Sequence, residues 1–370
     1  MLPFKLVSAD SHVVEPPDLW LKRIDRRYLD VAPRLIREAD QDFFFVAGSE
    51  REKAGIGMAS AAEKKAEELS MAERWENVLP GAYDPFPRVK DMERDGIEAE
   101  FLYTSFGLRM FSITDLDYQF ACFQAFNDWL ANYCASFPKR LFGAAMIPNE
   151  PAGRATAEME RCAKMGLRAA MISVSEGSGK EYDNPIYERI WSASEGLQMP
   201  ISLHLAASRK SFAHSGNVLV DFSLGFTPAM YSVALMIFSG VFDRHPKLKV
   251  ATVENDAGWA AMLLERMDFR YERDRFWAGP SNGITSGRLP SHQFREHVYC
   301  TFMRDHTAVR NREFIGRENI MWGSDYPHQD SSFPNSARIV AEHFADVPLE
   351  DQIRIGRQNA IDLYHLPLPS

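Results

Sequence analysis

Closely spaced cysteines are absent from this 370-residue chain, which has four cysteines in all. They stand far apart, at Cys122, Cys134, Cys162 and Cys300. A structural zinc site or a thiol redox motif needs a spacing such as CxxC, and no pair of these residues provides it. We therefore predict that all four are small buried hydrophobic side chains.

Long basic runs and long apolar runs are also missing. The chain has 51 acidic and 42 basic side chains, a net charge of -9, and no Lys/Arg run long enough to follow a phosphate backbone. We therefore expect no nucleic-acid partner. No unbroken apolar run approaches the roughly 20 residues that span a bilayer. Because the N-terminus also lacks the pattern of a secretory signal, we expect a cytoplasmic protein with no membrane partner.

What the sequence does contain is a regular alternation of short apolar runs with longer segments of helical spacing. This alternation is typical of βα units around a parallel sheet. Eight such strands fit a closed barrel better than an open sheet, so we predict an α/β fold, a TIM-like (β/α)8 barrel formed by one domain over residues 1–370. The predicted strands lie at Leu6–Ala9, Glu98–Tyr103, Leu141–Ile147, Leu167–Ile172, Ile201–His204, Lys249–Val253, Val298–Phe302 and Ile320–Ser324.

One long segment, residues 21–90, interrupts this alternation after the first predicted strand. It contains an Ala/Glu/Lys-rich stretch from Arg51 to Glu73 and a turn-rich stretch from Pro80 to Pro87. Long insertions in compact domains are usually lids or binding loops. We predict a cap over the barrel mouth, with an oligomer contact or a simple solvated excursion as the alternatives.

Four polar residues fall at the carboxyl ends of strands, where barrel enzymes carry their reactive groups. Asp10 and His12 follow the first predicted strand, and their spacing of two points both side chains the same way. His204 ends the fifth strand, and Asp325 follows the eighth. Each residue alone has a structural explanation, such as a helix cap or a core histidine. Together, four nitrogen and oxygen ligands on one face predict a site for a divalent metal ion.

Glu254 and His328 are further candidates at the same face. Glu254 ends the sixth predicted strand, where a buried carboxylate must be paired, coordinated or protonated. It could be a fifth metal ligand, a proton shuttle or the partner of an arginine. His328 lies three residues after Asp325 and could supply a proton or be a solvated loop residue. We predict Asp325, Glu254 and His328 as the catalytic residues.

Candidate substrate-binding residues follow the second and seventh predicted strands. They are Tyr103 and Arg109 after the second strand, and Arg304 and His306 after the seventh. A guanidinium group at such a place can hold a substrate carboxylate through two parallel hydrogen bonds. We predict that these four residues contact a small-molecule substrate.

Four parts of the chain form a set of motifs spread over almost its whole length: Ala9-Asp-Ser-His-Val-Val-Glu-Pro16, His204, Phe242-Asp-Arg-His-Pro-Lys-Leu-Lys249 and Trp322-Gly-Ser-Asp-Tyr-Pro327. This set resembles the amidohydrolase superfamily, and most closely its amidohydrolase-2 group, which is related to aminocarboxymuconate-semialdehyde decarboxylase. The resemblance implies a distorted (β/α)8 barrel with one divalent ion bound by Asp10, His12, His204 and Asp325, and it points to a homodimer.

Two departures from the family pattern shape the functional expectation. The fourth strand ends Ala170-Met-Ile-Ser173 with no lysine, so the carboxylated lysine of two-metal relatives has no candidate and one ion is expected. Glu254 stands where the decarboxylases of this group usually have a histidine. We therefore expect a hydrolase that activates water to cleave a C–N, C–O or C–S acyl bond of a small carboxylated or aromatic compound. A decarboxylase or hydratase, which is a lyase, is the alternative.

The expected ion is zinc, with iron or manganese as alternatives, because a mixed histidine and carboxylate set suits all three. A bound divalent ion lowers the pKa of its water to around 7 in favourable sites. Asp325 is then the natural group to orient the water and accept its proton. Glu254 or His328 would protonate the leaving group.

Overall fold

The predicted barrel is present in the computed structural model, which describes residues 2–176, 179–209 and 215–369. The described residues form an eight-stranded sheet and a separate three-stranded sheet. The strands are β1 (Leu6–Val13), β2 (Arg34–Arg37), β3 (Asp42–Phe45), β4 (Lys53–Gly55), β5 (Ile97–Thr104), β6 (Leu141–Met146), β7 (Ala169–Ile172), β8 (Ile201–His204), β9 (Val250–Val253), β10 (Val298–Phe302) and β11 (Ile320–Trp322).

Eight parallel strands form the barrel in the order β1-β5-β6-β7-β8-β9-β10-β11, which confirms the fold class. β1 extends to Val13, so Asp10 and His12 lie within this strand and not beyond its end. The ring is completed between the last strand and the first. There Asp325 N donates to Asp10 O at 2.9 Å, and Ser324 N donates to Ser8 Oγ at 2.9 Å.

Helices follow the barrel strands along the chain, and their ends carry ordinary sequence signals. Asp84 caps α2 by accepting a hydrogen bond from Phe86 N, and Gly96, with φ 78°, ends this helix in the left-handed conformation that glycine favours. The α-helices are α1 (Leu19–Arg23), α2 (Pro85–Asp95), α3 (Leu116–Ala135), α4 (Ala152–Lys164), α5 (Glu188–Leu197), α6 (Val218–Ser223), α7 (Thr227–Phe238), α8 (Val241–Arg244), α9 (Gly258–Asp274), α10 (Pro290–His297), α11 (His306–Arg310), α12 (Arg312–Ile315), α13 (Ser336–His343), α14 (Leu349–Ile353) and α15 (Asn359–Tyr364).

The strands of the barrel form its core. Every residue of β1 and of β6 is buried, as expected for parallel strands that are covered on both faces. The four cysteines are free and buried, which confirms their predicted role as small core side chains.

Residues 21–90 contain the small antiparallel sheet, of order β2-β3-β4, which the sequence pattern did not predict. The buried ring of Phe44 in β3 stacks on Phe106 at 4.1 Å. The backbone N–H groups of Ala61 and Ala62 donate to the carbonyl of Pro327 at 2.9 and 3.1 Å. Because Phe106 follows β5 and Pro327 follows β11, the insertion packs against loops at the carboxyl end of the barrel.

One stretch among the described residues, Val218–Phe238, is long and apolar enough to cross a membrane by length and composition. A single stretch of this kind is weak evidence, because a core helix of a water-soluble protein meets the same criterion. Here the stretch is divided into α6 and α7. Of these, α7 buries Val233, Met236 and Ile237, although only 22% of the apolar window is buried.

Candidate metal centre

Five side chains from four strands meet at the carboxyl end of the barrel. Asp10 and His12 lie on β1, His204 ends β8, Glu254 follows β9, and Asp325 lies three residues beyond β11. Glu254 and Asp325 have φ values of 59° and 52°. This left-handed conformation is uncommon for residues other than glycine, and it concentrates at functional sites.

The potential ligand atoms lie a few ångströms apart. His12 Nε2 is 3.5 Å from Asp10 Oδ1, 3.4 Å from Asp325 Oδ1 and 3.6 Å from Glu254 Oε2. His204 Nε2 is 3.7 Å from Asp10 Oδ1 and 3.5 Å from Glu254 Oε2. Ligand atoms about 2.1 Å from one tetrahedrally coordinated ion stand roughly 3.4 Å apart. The observed separations therefore fit ligands that share one ion.

Backbone carbonyls fix the tautomer of both histidines. His12 Nδ1 is 2.8 Å from the carbonyl of Thr104, and His204 Nδ1 is 2.7 Å from the carbonyl of Leu205. A carbonyl oxygen only accepts hydrogen bonds, so each Nδ1 carries the proton. This leaves the lone pair of each Nε2 free to bind a cation.

The converging atoms are buried without hydrogen-bond partners. Asp10 Oδ1, His12 Nε2, His204 Nε2 and both carboxylate oxygens of Asp325 belong to this group. Leaving buried polar atoms unpaired costs free energy, and for charged groups the cost is several kcal/mol. The atoms form two overlapping sets that share His12, one with Asp10 and His204 and one with Glu254, Asp325 and His328, and within each set the ligand atoms lie within 4.8 Å of one another. A divalent cation beside His12 Nε2 would satisfy such atoms, so the residues fit a metal ion that prefers nitrogen and oxygen ligands.

Burial and mutual attraction set the protonation of the cluster. Burial opposes the charge of Asp10, but the imidazoles of His12 and His204 outweigh it and hold the pKa of Asp10 below its usual value. Burial also opposes the charge of His12, but Asp10, Glu254 and Asp325 hold its pKa well above the usual value. Burial raises the pKa of Asp325. A cation and a proton therefore compete for the same atoms, and metal binding releases protons.

His328 lies beside the cluster, as the sequence predicts. Its Nδ1 is 3.0 Å from Asp325 Oδ1, its Nε2 is 2.8 Å from Ser105 Oγ, and its ring packs on that of His12 with centroids 3.9 Å apart. Burial, helped by the charge of His12, lowers the pKa of His328 to about 3. His328 is therefore neutral near pH 7 and has one nitrogen to donate and one to accept.

Gly323 and Thr301 contact the candidate ligands, and neither was predicted from the sequence. A Cβ atom on Gly323 would lie 2.6 Å from Asp10 Cβ, so only glycine permits the approach of this loop to β1. Thr301 Oγ1 donates to Asp10 Oδ2 at 3.3 Å and accepts from Glu254 N at 2.8 Å. A hydroxyl residue near the carboxyl end of an otherwise apolar strand is the signal that could have identified Thr301.

The structure separates the four predicted substrate-binding residues. Tyr103 is fully buried, with its hydroxyl 3.0 Å from Ser202 Oγ and 3.1 Å from Tyr364 Oη. Its ring centroid lies 4.9 Å from that of His204. It therefore packs beneath His204 in the barrel interior, not in a loop at the mouth, because β5 continues through Thr104.

Arg109, Arg304 and His306 lie in the segments that follow β5 and β10, and Arg109 is partly buried. Arg109 lines a cavity of about 390 Å³ together with Arg51 of the insertion and Ala206 after β8. Arg304 and His306 are exposed, and the ring of His306 stacks on another imidazole, not on the ligand cluster. Arg109 therefore borders a cavity next to the segment that follows His204.

Comparisons with known proteins match the chain to one family and to several named relatives. A family model described as amidohydrolase matches residues 66–366. Gamma-resorcylate decarboxylase from Rhizobium sp. (strain MTP-10005) is 27% identical over 296 residues, which cover 75% of this chain and 86% of that protein.

Two solved structures share the fold. Amidohydrolase map2389c from Mycobacterium avium subsp. paratuberculosis K-10 superimposes with a TM-score of 0.76 at 18% identity, over 98% of this chain and 100% of that one. 5-Carboxyvanillate decarboxylase LigW2 from Novosphingobium aromaticivorans, solved with bound manganese, gives a TM-score of 0.71 at 17% identity over 98% of each chain. At these identities, the likeness shows the fold alone.

The expectation of an acyl hydrolase is wrong, because these comparisons favour the alternative. The curated relatives are decarboxylases, which are lyases, and they agree with the alternative. Glu254 in place of a histidine favoured hydrolysis in the sequence analysis. A carboxyl group can deliver a proton as an imidazole can, so this difference does not distinguish a hydrolase from a decarboxylase. Because the family model covers most of its length, the chain belongs to the amidohydrolase family.

Proposed function

We propose that this protein is a metal-dependent, non-oxidative decarboxylase of small hydroxylated aromatic acids. One observation carries the proposal: unpartnered atoms of Asp10, His12, His204 and Asp325 converge in a chain whose relatives decarboxylate. The names of these relatives and of structural neighbours specify aromatic acids, among them gamma-resorcylate and 5-carboxyvanillate. An acid with a hydroxyl group beside its carboxylate offers two oxygens to one cation, which suits a centre with few protein ligands.

The four ligands of the proposed ion are Asp10, His12, His204 and Asp325. When bound there, a divalent ion supplies positive charge that holds the substrate carboxylate and its neighbouring oxygen and offsets the buried carboxylates. We favour manganese over the zinc expected from sequence. The ligand set suits either ion, and the structures of 5-carboxyvanillate decarboxylase and dihydroxybenzoic acid decarboxylase contain manganese.

Glu254 is the proposed proton donor. Its side chain is 12% exposed, whereas those of His12 and Asp325 are 0% exposed, so Glu254 borders the open side of the cluster. Its protonated carboxyl group donates a proton to the ring carbon that carries the carboxylate. The C–C bond to the carboxylate then breaks, carbon dioxide leaves, and the electron pair of that bond restores the aromatic ring.

Each turnover consumes one proton, so Glu254 must be reprotonated. His328 is placed for this role, because its ligand atoms and those of Glu254 and Asp325 lie within 4.8 Å of one another. Its Nε2 faces Ser105 Oγ on the other side. We therefore assign His328 as the relay that carries protons from the mouth toward the cluster, with Asp325 as a ligand.

The insertion, residues 21–90, is proposed to cover the substrate. Its Ala61 and Ala62 are bonded to the loop after Asp325, and its Arg51 and Met71 line the 390 Å³ cavity that Arg109 borders. Arg109 lies between these elements, and its Nη1 donates to the carbonyl of Arg51 at 3.2 Å. The remaining donors of its guanidinium can hold a polar substituent of the aromatic acid.

A product-resolved assay tests the proposed reaction. Protein loaded with Mn²⁺ is incubated in D₂O with a panel of hydroxybenzoates that includes 2,6-dihydroxybenzoate and 5-carboxyvanillate. We expect release of carbon dioxide and one deuterium at the ring carbon that lost it. Incubation in H₂¹⁸O should leave the organic product without ¹⁸O. Metal-loaded protein that releases no carbon dioxide from any acid, or that transfers ¹⁸O to the organic product, would overturn the proposal.

A further inference from the structure

The helix that closes the insertion, α2, directs one fully buried positive charge toward the ligand cluster. We infer that Arg88 on this helix and Glu100 on β5 form a positioning pair that holds His12 in its metal-binding orientation. The inference rests on the metal centre of the proposed function, but not on the reaction that the centre catalyses.

The guanidinium group of Arg88 bonds both to Glu100 and to β1, the strand that carries Asp10 and His12. Its side chain is 0% exposed, and that of Glu100 is 2% exposed. Arg88 Nε donates to Glu100 Oε2 at 2.5 Å, and Arg88 Nη1 donates to the carbonyl of His12 at 2.7 Å. The guanidinium also lies over the ring of Tyr326, 4.5 Å from its centroid. Tyr326 follows the ligand Asp325, so Arg88 contacts two of the three segments that carry the proposed ligands, β1 and the loop after β11.

His12 is held on three sides by three different elements. Its N–H donates to the carbonyl of Tyr326 at 2.6 Å, its own carbonyl accepts from Arg88, and its Nδ1 bonds to the carbonyl of Thr104 at 2.8 Å. Only Nε2 is left for an ion. Arg88 is the one side chain among these three contacts, and it is therefore the contact that a substitution can remove.

The geometry of Arg88 and Glu100 suits the positioning of His12 better than it suits stabilisation of the fold alone. A buried ion pair is often replaceable by apolar residues at no cost in stability, because desolvation offsets its attraction. Here Arg88 Nη2 is also buried without a hydrogen-bond partner. A planar guanidinium can hold Glu100 and the His12 carbonyl at once, whereas a lysine ammonium has no such fork.

Metal affinity, measured beside thermal stability, separates positioning from folding. The variants are Arg88→Lys, Arg88→Met and the double variant Arg88→Met/Glu100→Gln, which leaves no unpaired charge. Arg94→Met is the matched control, because Arg94 lies on the same helix, is 55% exposed and pairs with Glu63. Each metal-free protein is titrated with Mn²⁺ by calorimetry.

We expect Arg88→Lys and the double variant to bind Mn²⁺ at least about 10-fold more weakly than the parent, the scale seen when supporting residues of metal ligands are removed. The double variant should regain thermal stability relative to Arg88→Met without regaining affinity, and Arg94→Met should match the parent. Parental Mn²⁺ affinity in both Arg88→Lys and the double variant would overturn the inference, even if Arg88→Met alone fails to fold.

A parent protein that binds no Mn²⁺ would remove the metal centre and the inference with it. A parent that binds Mn²⁺ but decarboxylates nothing would refute the reaction only.

Discussion

The imidazole rings of His12 and His204 meet edge to face, with centroids 4.9 Å apart and an angle of 88° between their planes. Both Nε2 atoms approach the same oxygen, Asp10 Oδ1, at 3.5 and 3.7 Å. Because backbone carbonyls hold both Nδ1 atoms, the rings cannot turn away without losing a hydrogen bond. The fold therefore orients both imidazole rings before an ion binds. This lowers the free-energy cost of ordering the ligands when the ion binds.

His204→Gln should therefore abolish tight metal binding. Loss of a direct ligand should weaken Mn²⁺ binding by more than the roughly 10–100-fold that follows loss of a supporting residue. His297→Gln is a matched control, because His297 is also buried and its Nδ1 also faces a backbone carbonyl, that of Leu248 at 2.9 Å. His297 lies outside the ligand cluster, so its variant should keep the parental metal content in elemental analysis. Equal metal content in both variants would rule out His204 as a ligand.

Glu254→Gln should separate catalysis from metal binding. The amide keeps the size of the side chain but cannot donate a proton as a carboxyl group does, and general acids contribute about 10²–10⁴-fold to rate. We expect kcat for decarboxylation to fall by about 100-fold or more while Mn²⁺ content stays parental. Asp256→Asn, at an exposed position two residues along, is the control and should retain activity. If Glu254→Gln loses the metal, Glu254 is a ligand and not the proton donor.

Gly323→Ala should disturb the centre through packing alone. The added Cβ would lie 2.6 Å from Asp10 Cβ and 3.1 Å from its carbonyl oxygen, so β1 or the loop must shift. Overpacking of this kind costs about 1–3 kcal/mol of stability. Mn²⁺ affinity should fall with it, because Asp10 carries a ligand oxygen.

Gly196→Ala provides the opposite case for comparison. Gly196 lies in α5, and a Cβ there meets no atom within 4 Å. Alanine in a helix is favoured over glycine by about 0.5–1 kcal/mol, so this variant should be slightly more stable and bind Mn²⁺ as the parent does. Denaturant unfolding and metal titration of both variants test the pair. A Gly323→Ala protein with parental stability and affinity would show that the contact relaxes freely.

Much of the fold and of the ligand cluster could be predicted because both follow local rules. Strands buried on both faces leave uninterrupted apolar runs, and the end of each run shows where the chain turns toward the mouth. Asp10, His12, His204, Glu254 and Asp325 were found in this way. The same ligands serve a hydrolase or a lyase, however, so the reaction could not be read from them.

The features that could not be predicted from the sequence depend on contacts between different segments or on elements too short to show a pattern. Arg88 and Glu100 meet across an intervening turn, and no periodic pattern marks either as a neighbour of His12. Tyr103 was predicted to contact substrate because it ends the predicted second strand, but β5 continues to Thr104 and the side chain of Tyr103 is buried in the barrel interior. The strands β2 to β4 have only three or four residues each, too few for an alternating pattern to identify them.

Removal of the metal ion should lower the stability of the protein. Without an ion, the carboxyl groups of Asp10, Glu254 and Asp325 all lie 3.4 to 3.6 Å from one nitrogen, His12 Nε2. An ion that binds only the folded state stabilises it by about 2.7 kcal/mol at 100 times its dissociation constant. We therefore expect Tm to fall on treatment with a chelator and to rise again with the logarithm of added Mn²⁺. A Tm independent of metal would argue against a site in the folded barrel.

Asp95 should make the stability of the fold depend on pH near neutrality. Burial raises the pKa of this carboxyl group from 3.8 to about 7, although Ser336 donates hydrogen bonds to it from its backbone N–H and its hydroxyl. Between these two pH values the folded protein holds a proton that the unfolded chain has released, so stability falls as pH rises from about 4 to about 7. Asp95→Asn cannot ionise. Its free energy of unfolding relative to the parent should therefore rise across this window, by at most about 4 kcal/mol, and level off above it. Urea unfolding of both proteins at several pH values measures the difference, and a difference that stays constant across the window would show that Asp95 is already ionised in the folded state.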